Sequence, residues 1–354
     1  MTTTLDTYRT LGRSGLRVSR LALGTATFGT EWGWGADRED ARRLFDRYVD
    51  AGGNFLDTAS TYTEGTSERY LGEFARGRRD SLVIATKYST LRRPGDPNSG
   101  GGHRKNLLAS VDASLDRLGT DHVDLLHLHV WDDSTPVDEI LRGMDDLVRQ
   151  GKVLHCGISS APAWQIARMQ TIADLRGWRP LIALQVEHNL IERRGELDLF
   201  PMARELGLGV VPFSPLAGGV LTGRYRTRSA GAAPQDGTRT AFNVGLGAVT
   251  DRSLSIADVV GEVAEDLGVT PSQVALAWSI QNPHVTAPII GARTPAQLEE
   301  NLAALAVDLD TSHLTRLEGG DSAGPGLPAC PAGQRPHPPT DPRRHGDRER
   351  AMTS

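Results

Sequence analysis

The sequence predicts an α/β fold, a (β/α)8 TIM barrel, on three observations. Short apolar runs alternate with helical stretches along most of the chain. The apolar runs are continuous rather than alternating with polar residues, as expected of parallel strands covered by helices. Eight such strand–helix units can be counted, the number that closes a barrel. A doubly wound open sheet is the competing architecture. It is disfavoured because no strand is followed by G-x-G-x-x-G, and residues 218–223 (GGVLTG) come closest but fail the spacing.

The elements follow in order. Residues 8–11 and 16–18 flank Gly12-Arg13-Ser14-Gly15 and read as an N-terminal β-hairpin. A short strand at 21–24 leads into a loop with Gly29, Gly33 and Gly35. Asp37 caps a helix running to about residue 50, which Gly52-Gly53 ends. Strand 54–57, helix 66–76 and strand 82–86 follow. A Gly/Pro-rich loop, 89–103, then precedes helix 104–118. The alternation continues as strand 123–129, helix 136–149, strand 153–158, helix 162–175, strand 181–186, helix 196–206 and strand 208–213. After an excursion at 214–250, helices 255–267 and 271–281 lead to strand 287–290 and a last helix, 295–306.

At 354 residues the chain is long enough for two average domains or for one barrel. The element count selects one domain, 1–318. From residue 319 on, seven prolines sit among Gly, Arg and Asp, with almost nothing apolar after Leu327, so 319–354 reads as a disordered C-terminal tail. The net charge of -5 argues against a nucleic-acid partner. Two cysteines, Cys156 and Cys330, make a disulfide framework unexpected and suit a reducing cytoplasm. The polar N-terminus shows no secretory signal, and no apolar run is long enough to span a bilayer. A cytoplasmic protein with no membrane partner is the expectation.

Catalytic groups of such barrels lie at the carboxyl ends of strands. The second barrel strand ends at Asp57, with Tyr62 in its loop. The third ends in Ala85-Thr86-Lys87, and the fourth in Leu126-His127-Leu128-His129. Taken singly, a strand-end Lys is usually a solvated rim residue, an Asp a turn former and a His a core residue. Together on three successive strands they compose one mechanism. A free Tyr, with a pKa near 10, is a poor acid at neutral pH. An adjacent Lys87 ammonium should lower that value, with Asp57 holding the lysine. His129 would orient a carbonyl oxygen, and Tyr62 would protonate it as hydride reaches the carbon. His127, two residues deeper on the same strand face, reads as structural.

These stretches, Asp57-Thr58-Ala59 with Tyr62, Ala85-Thr86-Lys87, and Asp124 to His129 followed by Asp132, resemble the aldo-keto reductase superfamily in order and spacing over roughly residues 8–310. The resemblance implies an NADPH-dependent reductase of a small-molecule carbonyl substrate, with Asp57, Tyr62, Lys87 and His129 as a catalytic tetrad and no metal.

Hydride chemistry needs a nicotinamide donor, and two stretches could hold it. In 291–301, Thr294 suits an N-cap and Pro295 the first helical turn, with Arg293 just before and Gln297 and Asn301 at four-residue steps. A helix N-terminus beside an Arg is an anion site. A capping box with Thr294 would alone account for Gln297. In 211–219, Phe213 could stack on the nicotinamide, and the backbone of Ser214, Pro215, Leu216 and Gly218 could approach the pyrophosphate. The resemblance adds Gly24, Thr25, Asp57 and Gly291 to the cofactor site, and Ser159 and Gln185 as carboxamide partners; it also implies that Arg293, Gln297 and Asn301 grip the adenosine 2′-phosphate and the adenine, with Arg293 favouring NADPH. The sequence departs from the family at Ser160, usually Asn, and at His188, usually Tyr or Phe.

Expected substrate walls are Phe28, Trp32, Trp34, Tyr88 and Trp131. The loop around 98–105 resembles that of aryl-alcohol dehydrogenase-like members, and also that of members reducing nucleotide-linked (dTDP) 4-keto-6-deoxysugars as 2,3-reductases in antibiotic pathways. His103, Arg104 and Lys105 could meet a substrate phosphate, or equally form a solvated helix start. A regulatory cofactor-binding subunit resembling potassium-channel β subunits is the non-enzyme alternative.

Overall fold

The computed structural model describes residues 4–225 and 249–319. The tail at 320–354 and most of the 214–250 excursion lie outside the described residues. Ten strands and ten α-helices are seen among the described residues. The hairpin comprises β1 (Tyr8–Thr10) and β2 (Arg17–Ser19), paired antiparallel. The barrel strands are β3 (Ala22–Gly24), β4 (Phe55–Asp57), β5 (Val83–Tyr88), β6 (Val123–Leu128), β7 (Val153–Ser159), β8 (Leu181–Glu187), β9 (Gly209–Phe213) and β10 (Ile289–Ile290), all parallel to their neighbours in the order β10-β3-β4-β5-β6-β7-β8-β9. The circle closes where Val210 bridges Val285 and the Thr286 amide donates to the Val210 carbonyl at 2.8 Å. Eight parallel strands in a closed ring are the predicted barrel.

The helices are α1 (Arg38–Asp50), α2 (Thr66–Phe74), α3 (Arg104–Leu118), α4 (Val137–Arg149), α5 (Ala163–Arg176), α6 (Leu199–Leu206), α7 (Asp251–Leu267), α8 (Pro271–Gln281), α9 (Pro295–Ala303) and α10 (Thr311–Gly319). Their ends follow local chemistry. Asp37 accepts from the Glu39 and Asp40 amides at 2.9 Å, as expected for its N-cap role. Helix α7 starts earlier than expected, because Thr250 and Ser253 form a capping box. Helix α6 starts later, because residues 194–196 make a separate tight turn and Asp198 caps the helix. Strand β10 has only two residues, since Pro288 has no N–H to offer the ladder. Helix α10 was not foreseen; Asp310 seeds it by accepting from the Ser312 and His313 amides.

Strand parity sorts side chains into two layers. Inside the barrel, Ala22, Phe55, Val83, Leu125, Ile182, Val211 and Ala287 cluster with Leu11 and Val18 of the hairpin, so the hairpin plugs the amino end. Outward residues such as Leu23, Leu56, Ile84, Leu126 and Leu184 pack against the helices in the main core. With the amino end filled, polar inward groups collect at the carboxyl end.

Candidate active site

Strand β4 delivers Asp57 into the barrel, 2 % exposed. The chain then turns over β5, with the Thr58 amide on the Ala85 carbonyl and the Ser60 amide on the Lys87 carbonyl. Tyr62 heads the following turn, in which Thr63 and Glu64 hold left-handed φ of 45° and 55°. Such conformations are costly for non-glycine residues and persist only when clamped. Here the Thr63 hydroxyl donates to the Phe28 carbonyl at 2.6 Å and accepts from the Ser67 amide at 3.1 Å.

Lys87 is fully buried, and its three N–H donors are all used. Nζ reaches Asp57 Oδ1 at 2.5 Å, the Thr58 carbonyl at 2.7 Å and the Tyr62 hydroxyl at 3.3 Å. The second Asp57 oxygen accepts from Gln185 Nε2 at 2.8 Å. The His129 amide donates to the Tyr88 carbonyl, and its ring stands edge-on to Tyr62 at 6.0 Å. The four tetrad residues are thus gathered in one place, with Gln185 as a fifth member of the network.

Charge follows from burial. Burial pushes the Tyr62 pKa up; Lys87 pulls it down and Asp57 pushes it up again, and the result lies above the ordinary tyrosine value. Lys87 thus lowers the value as expected, but the expected net lowering is corrected, because burial and then Asp57 outweigh the lysine. Burial would depress Lys87, but Asp57 and then Tyr62 outweigh it, so the ammonium persists. Burial and then the Lys87 charge hold His129 down to about 3, a neutral imidazole at physiological pH. His127, fully buried beneath, is likewise held down to about 3 by burial, Lys87 and His129. Its ring lies where a side chain at position 157 would be, which Gly157 leaves open.

A cavity of about 520 Å³ runs from Asp57, Tyr62 and His129 to the N-terminus of α9. Gly24, Ser159, Gln185 and Phe213 line its floor, Ser214, Pro215, Leu216 and Gly218 one wall, and Gly291, Arg293, Gln297 and Asn301 the far end. Gly24 is required sterically, since a Cβ there would meet Ile289 Cγ2 at 2.6 Å. The capping alternative for Gln297 is half met. Thr294 accepts from the Gln297 amide, but Gln297 Oε1 reaches past the cap to the Arg293 amide at 2.9 Å. Asn301 Nδ2 donates to the Gly291 carbonyl.

Several expected site residues are placed elsewhere. Thr25 is fully buried, its hydroxyl on the Asp57 carbonyl and Ser67 rather than facing the cavity. Tyr88 points outward because Lys87 points inward; it is fully buried, with its hydroxyl on the Gly102 carbonyl at 3.2 Å. Phe28 packs against Phe74 in the outer core. Trp131 also lies against that core, with its indole N–H on Asp133. Trp32 does reach the centre, edge-on to Tyr62 at 6.1 Å, with Trp34 behind it at 5.6 Å. Arg104 pairs with Asp146 at 2.6 Å, and His103 caps α3, its Nδ1 accepting from the Asn106 amide. Thr27, Val130, Arg224 and Glu300 line the cavity without having been foreseen. The signal for Arg224 lay just past the glycine run 218–223, set aside above as a failed phosphate motif.

A sequence profile of the aldo/keto reductase family matches residues 20–321. The chain is 38 % identical over 315 residues to a norsolorinic acid reductase of Emericella nidulans, covering 86 % of this chain and 79 % of that one. It is 39 % identical over 323 residues to an uncharacterized oxidoreductase of Bacillus subtilis, covering 88 % and 94 %. It is 34 % identical over 316 residues to an NADP(+) aryl-alcohol dehydrogenase of Phanerodontia chrysosporium, covering 85 % and 82 %. With the barrel, the site at its carboxyl end and these likenesses in hand, the chain belongs to the aldo/keto reductase family and is an oxidoreductase.

Proposed function

We propose that the chain is an NADPH-dependent reductase of planar aromatic aldehydes or ketones, with Tyr62 as the general acid. The observation that carries it is the Tyr62–Lys87–Asp57–Gln185 network at one end of a cavity whose other end is a helix N-terminus flanked by Arg293. The cavity suits a dinucleotide: at Gly218 and Gly219 its wall is backbone without side chains, which a pyrophosphate could approach closely. Arg293 has no carboxylate partner among the described residues and stands at the α9 N-terminus, where a 2′-phosphate is doubly favoured. NADPH, when bound, supplies hydride to the carbonyl carbon.

The chain's own groups do the rest. Tyr62 stays protonated at neutral pH and gives its proton to the carbonyl oxygen. Lys87 stabilises the phenolate that remains, and Asp57 fixes Lys87 with one oxygen while Gln185 holds the other. Neutral His129 offers a ring N–H to the same oxygen. Gln185 gives an amide N–H to Asp57, and its carbonyl oxygen, beside Ser159, is left for the nicotinamide carboxamide, with Phe213 as the stacking surface.

Substrate class rests on the mouth. Trp32, 39 % exposed against Tyr62, and Val130, equally exposed beside His129, make an apolar rim. Of the residues that would meet a nucleotide phosphate, Arg104 is paired with Asp146, and His103 caps α3. This favours aryl carbonyls over nucleotide-linked keto-sugars, in keeping with relatives named for norsolorinic acid and aryl alcohols. Among the relatives compared, names are of reductases, dehydrogenases and oxidoreductases, so nothing favours a purely regulatory subunit. The test is NADPH consumption with aryl aldehydes, polycyclic aryl ketones and a dTDP-linked keto-sugar side by side. Turnover confined to the sugar would overturn the substrate class, and tight NADPH binding with no turnover on any carbonyl would overturn the enzyme.

A further inference from the structure

The wall of the cavity at Ser214 is held from behind by a residue with no place in the chemistry above. Ser214 follows β9 with φ 53°, and Ala217, Gly218 and Gly219 come next at 49°, 64° and 99°. Two of these four are not glycine, so the turn stores strain that something must offset. Inside the turn, the Ala217 amide donates to the Ser214 carbonyl and the Gly219 amide to the Leu216 carbonyl, both at 2.8 Å. The outside contact is Asn189, 1 % exposed, whose Nδ2 donates to the same Ser214 carbonyl at 3.0 Å. Its Oδ1 accepts from the Ile191 and Glu192 amides, both at 2.9 Å. One amide side chain therefore joins the loop after β8 to the turn after β9.

That loop is itself anchored. His188, fully buried, stacks on Trp278 at 5.0 Å and sets Nε2 2.8 Å from Glu196 Oε1. Arg193 holds the same carboxylate, at 3.0 and 2.8 Å. The His188 amide donates to the Phe213 carbonyl at 3.4 Å. Asn189 is thus a rigid clamp, and both carbonyls it and its neighbour grasp belong to cavity-lining residues.

We infer that Asn189 is a positioning residue that preorganises the 214–219 turn for the cofactor's pyrophosphate, so that binding does not have to order it. The inference rests on the proposed use of NADPH. Asn189→Asp tests it, because a carboxylate still accepts from the Ile191 and Glu192 amides but cannot donate to Ser214. NADPH affinity should fall about fivefold or more, the effect of one lost buried hydrogen bond. KM for an aryl aldehyde and kcat at saturating NADPH should change less than twofold. Hydrogen exchange of the Ala217 and Gly219 amides in the unaltered protein gives a second measure, independent of whether the variant folds. Both should be protected before NADPH is added. Unchanged affinity in the variant overturns the clamp alone, as does free exchange of both amides until NADPH binds. Failure of the unaltered protein to bind NADPH overturns the cofactor assignment and the clamp with it.

Discussion

Replacing Tyr62 by Phe removes one oxygen from the centre of the network and little else. The lost hydrogen bond to Lys87 is 3.3 Å long, beyond the usual range for N–H···O. The ring keeps its edge contacts with Trp32 and His129, and its face stays 4.8 Å from the Lys87 ammonium. Lys87 retains Asp57 and the Thr58 carbonyl. Stability should therefore change by less than about 1 kcal/mol, and thermal unfolding should barely shift. NADPH binding should be intact. The chemistry should not be: losing a general acid costs about 10²–10⁴ in rate, or about 3–5 kcal/mol on the barrier. Steady-state NADPH consumption on an aryl aldehyde, with cofactor titration and a melting curve alongside, measures all three. A pH profile sharpens the test. Because Tyr62 titrates above its ordinary value of 10, the unaltered enzyme should hold its rate through neutral pH and lose it only on the far alkaline side, as the acid deprotonates. The Phe variant should lack that limb. A variant within tenfold of the unaltered rate, or an alkaline limb that survives the substitution, would refute Tyr62 as the acid.

Arg293→Ala should weaken NADPH at least tenfold, the scale of one charge-assisted contact, and NADH hardly at all; equal losses would remove Arg293 from the 2′-phosphate. Trp32→Ala should raise KM for aryl carbonyls roughly fivefold through one lost aromatic contact, with kcat little changed, whereas a lowered kcat at unchanged KM would place Trp32 outside substrate binding. Stability should fall with acidification. His127 and His129 titrate near 6.5 when unfolded but at about 3 when folded, so the unfolded chain takes up protons first. Stability is complete above about pH 6.5 and is lost as pH falls toward about 3, by up to about 1.4 kcal/mol per pH unit for each imidazole. Urea unfolding at pH 7 and pH 5 should show the drop, and His127→Gln should halve it; an unchanged slope in that variant would mean His127 charges in the folded state.

The barrel and its tetrad were legible because strand ends are marked twice, by an apolar run that stops and by a polar residue that has no business in it. Asp57, Lys87 and His129 all carry that mark. Tyr88 misled because its chemistry invites a site role, whereas inward Lys87 forces its neighbour outward. Thr25 fails for the same class of reason: its hydroxyl is consumed by the Asp57 carbonyl and by Ser67 of α2, contacts far apart in sequence. The Tyr62 pKa was read from one neighbour, Lys87, but its direction depends on burial and on Asp57, which only the folded arrangement supplies. His188, where the resemblance implied Tyr or Phe, takes an aromatic's place, stacked on Trp278, and adds a bond to Glu196.

What the sequence could not mark at all is where the backbone is strained. Glycine advertises a left-handed residue, but six non-glycine residues among those described take positive φ: Thr63, Glu64, Ser89, Ser160, Ser214 and Ala217. Every one lies in a turn leaving the carboxyl end of a barrel strand, after β4, β5, β7 or β9. None is in the hairpin, in a helix connection at the amino end or at a helix C-cap, where glycines serve instead. At Ser160, φ 49° falls in the left-handed region, which Asn tolerates more readily than Ser. Strain of about 1–3 kcal/mol per residue persists only where packing over-determines it. Here the over-determination is visible, as the Thr63 hydroxyl on Phe28, the Ser89 hydroxyl on Val130 and Asn189 on Ser214. The barrel's filled amino end and helix layer thus supply the stability, and the carboxyl end spends part of it to fix the groups around Tyr62 before any ligand arrives.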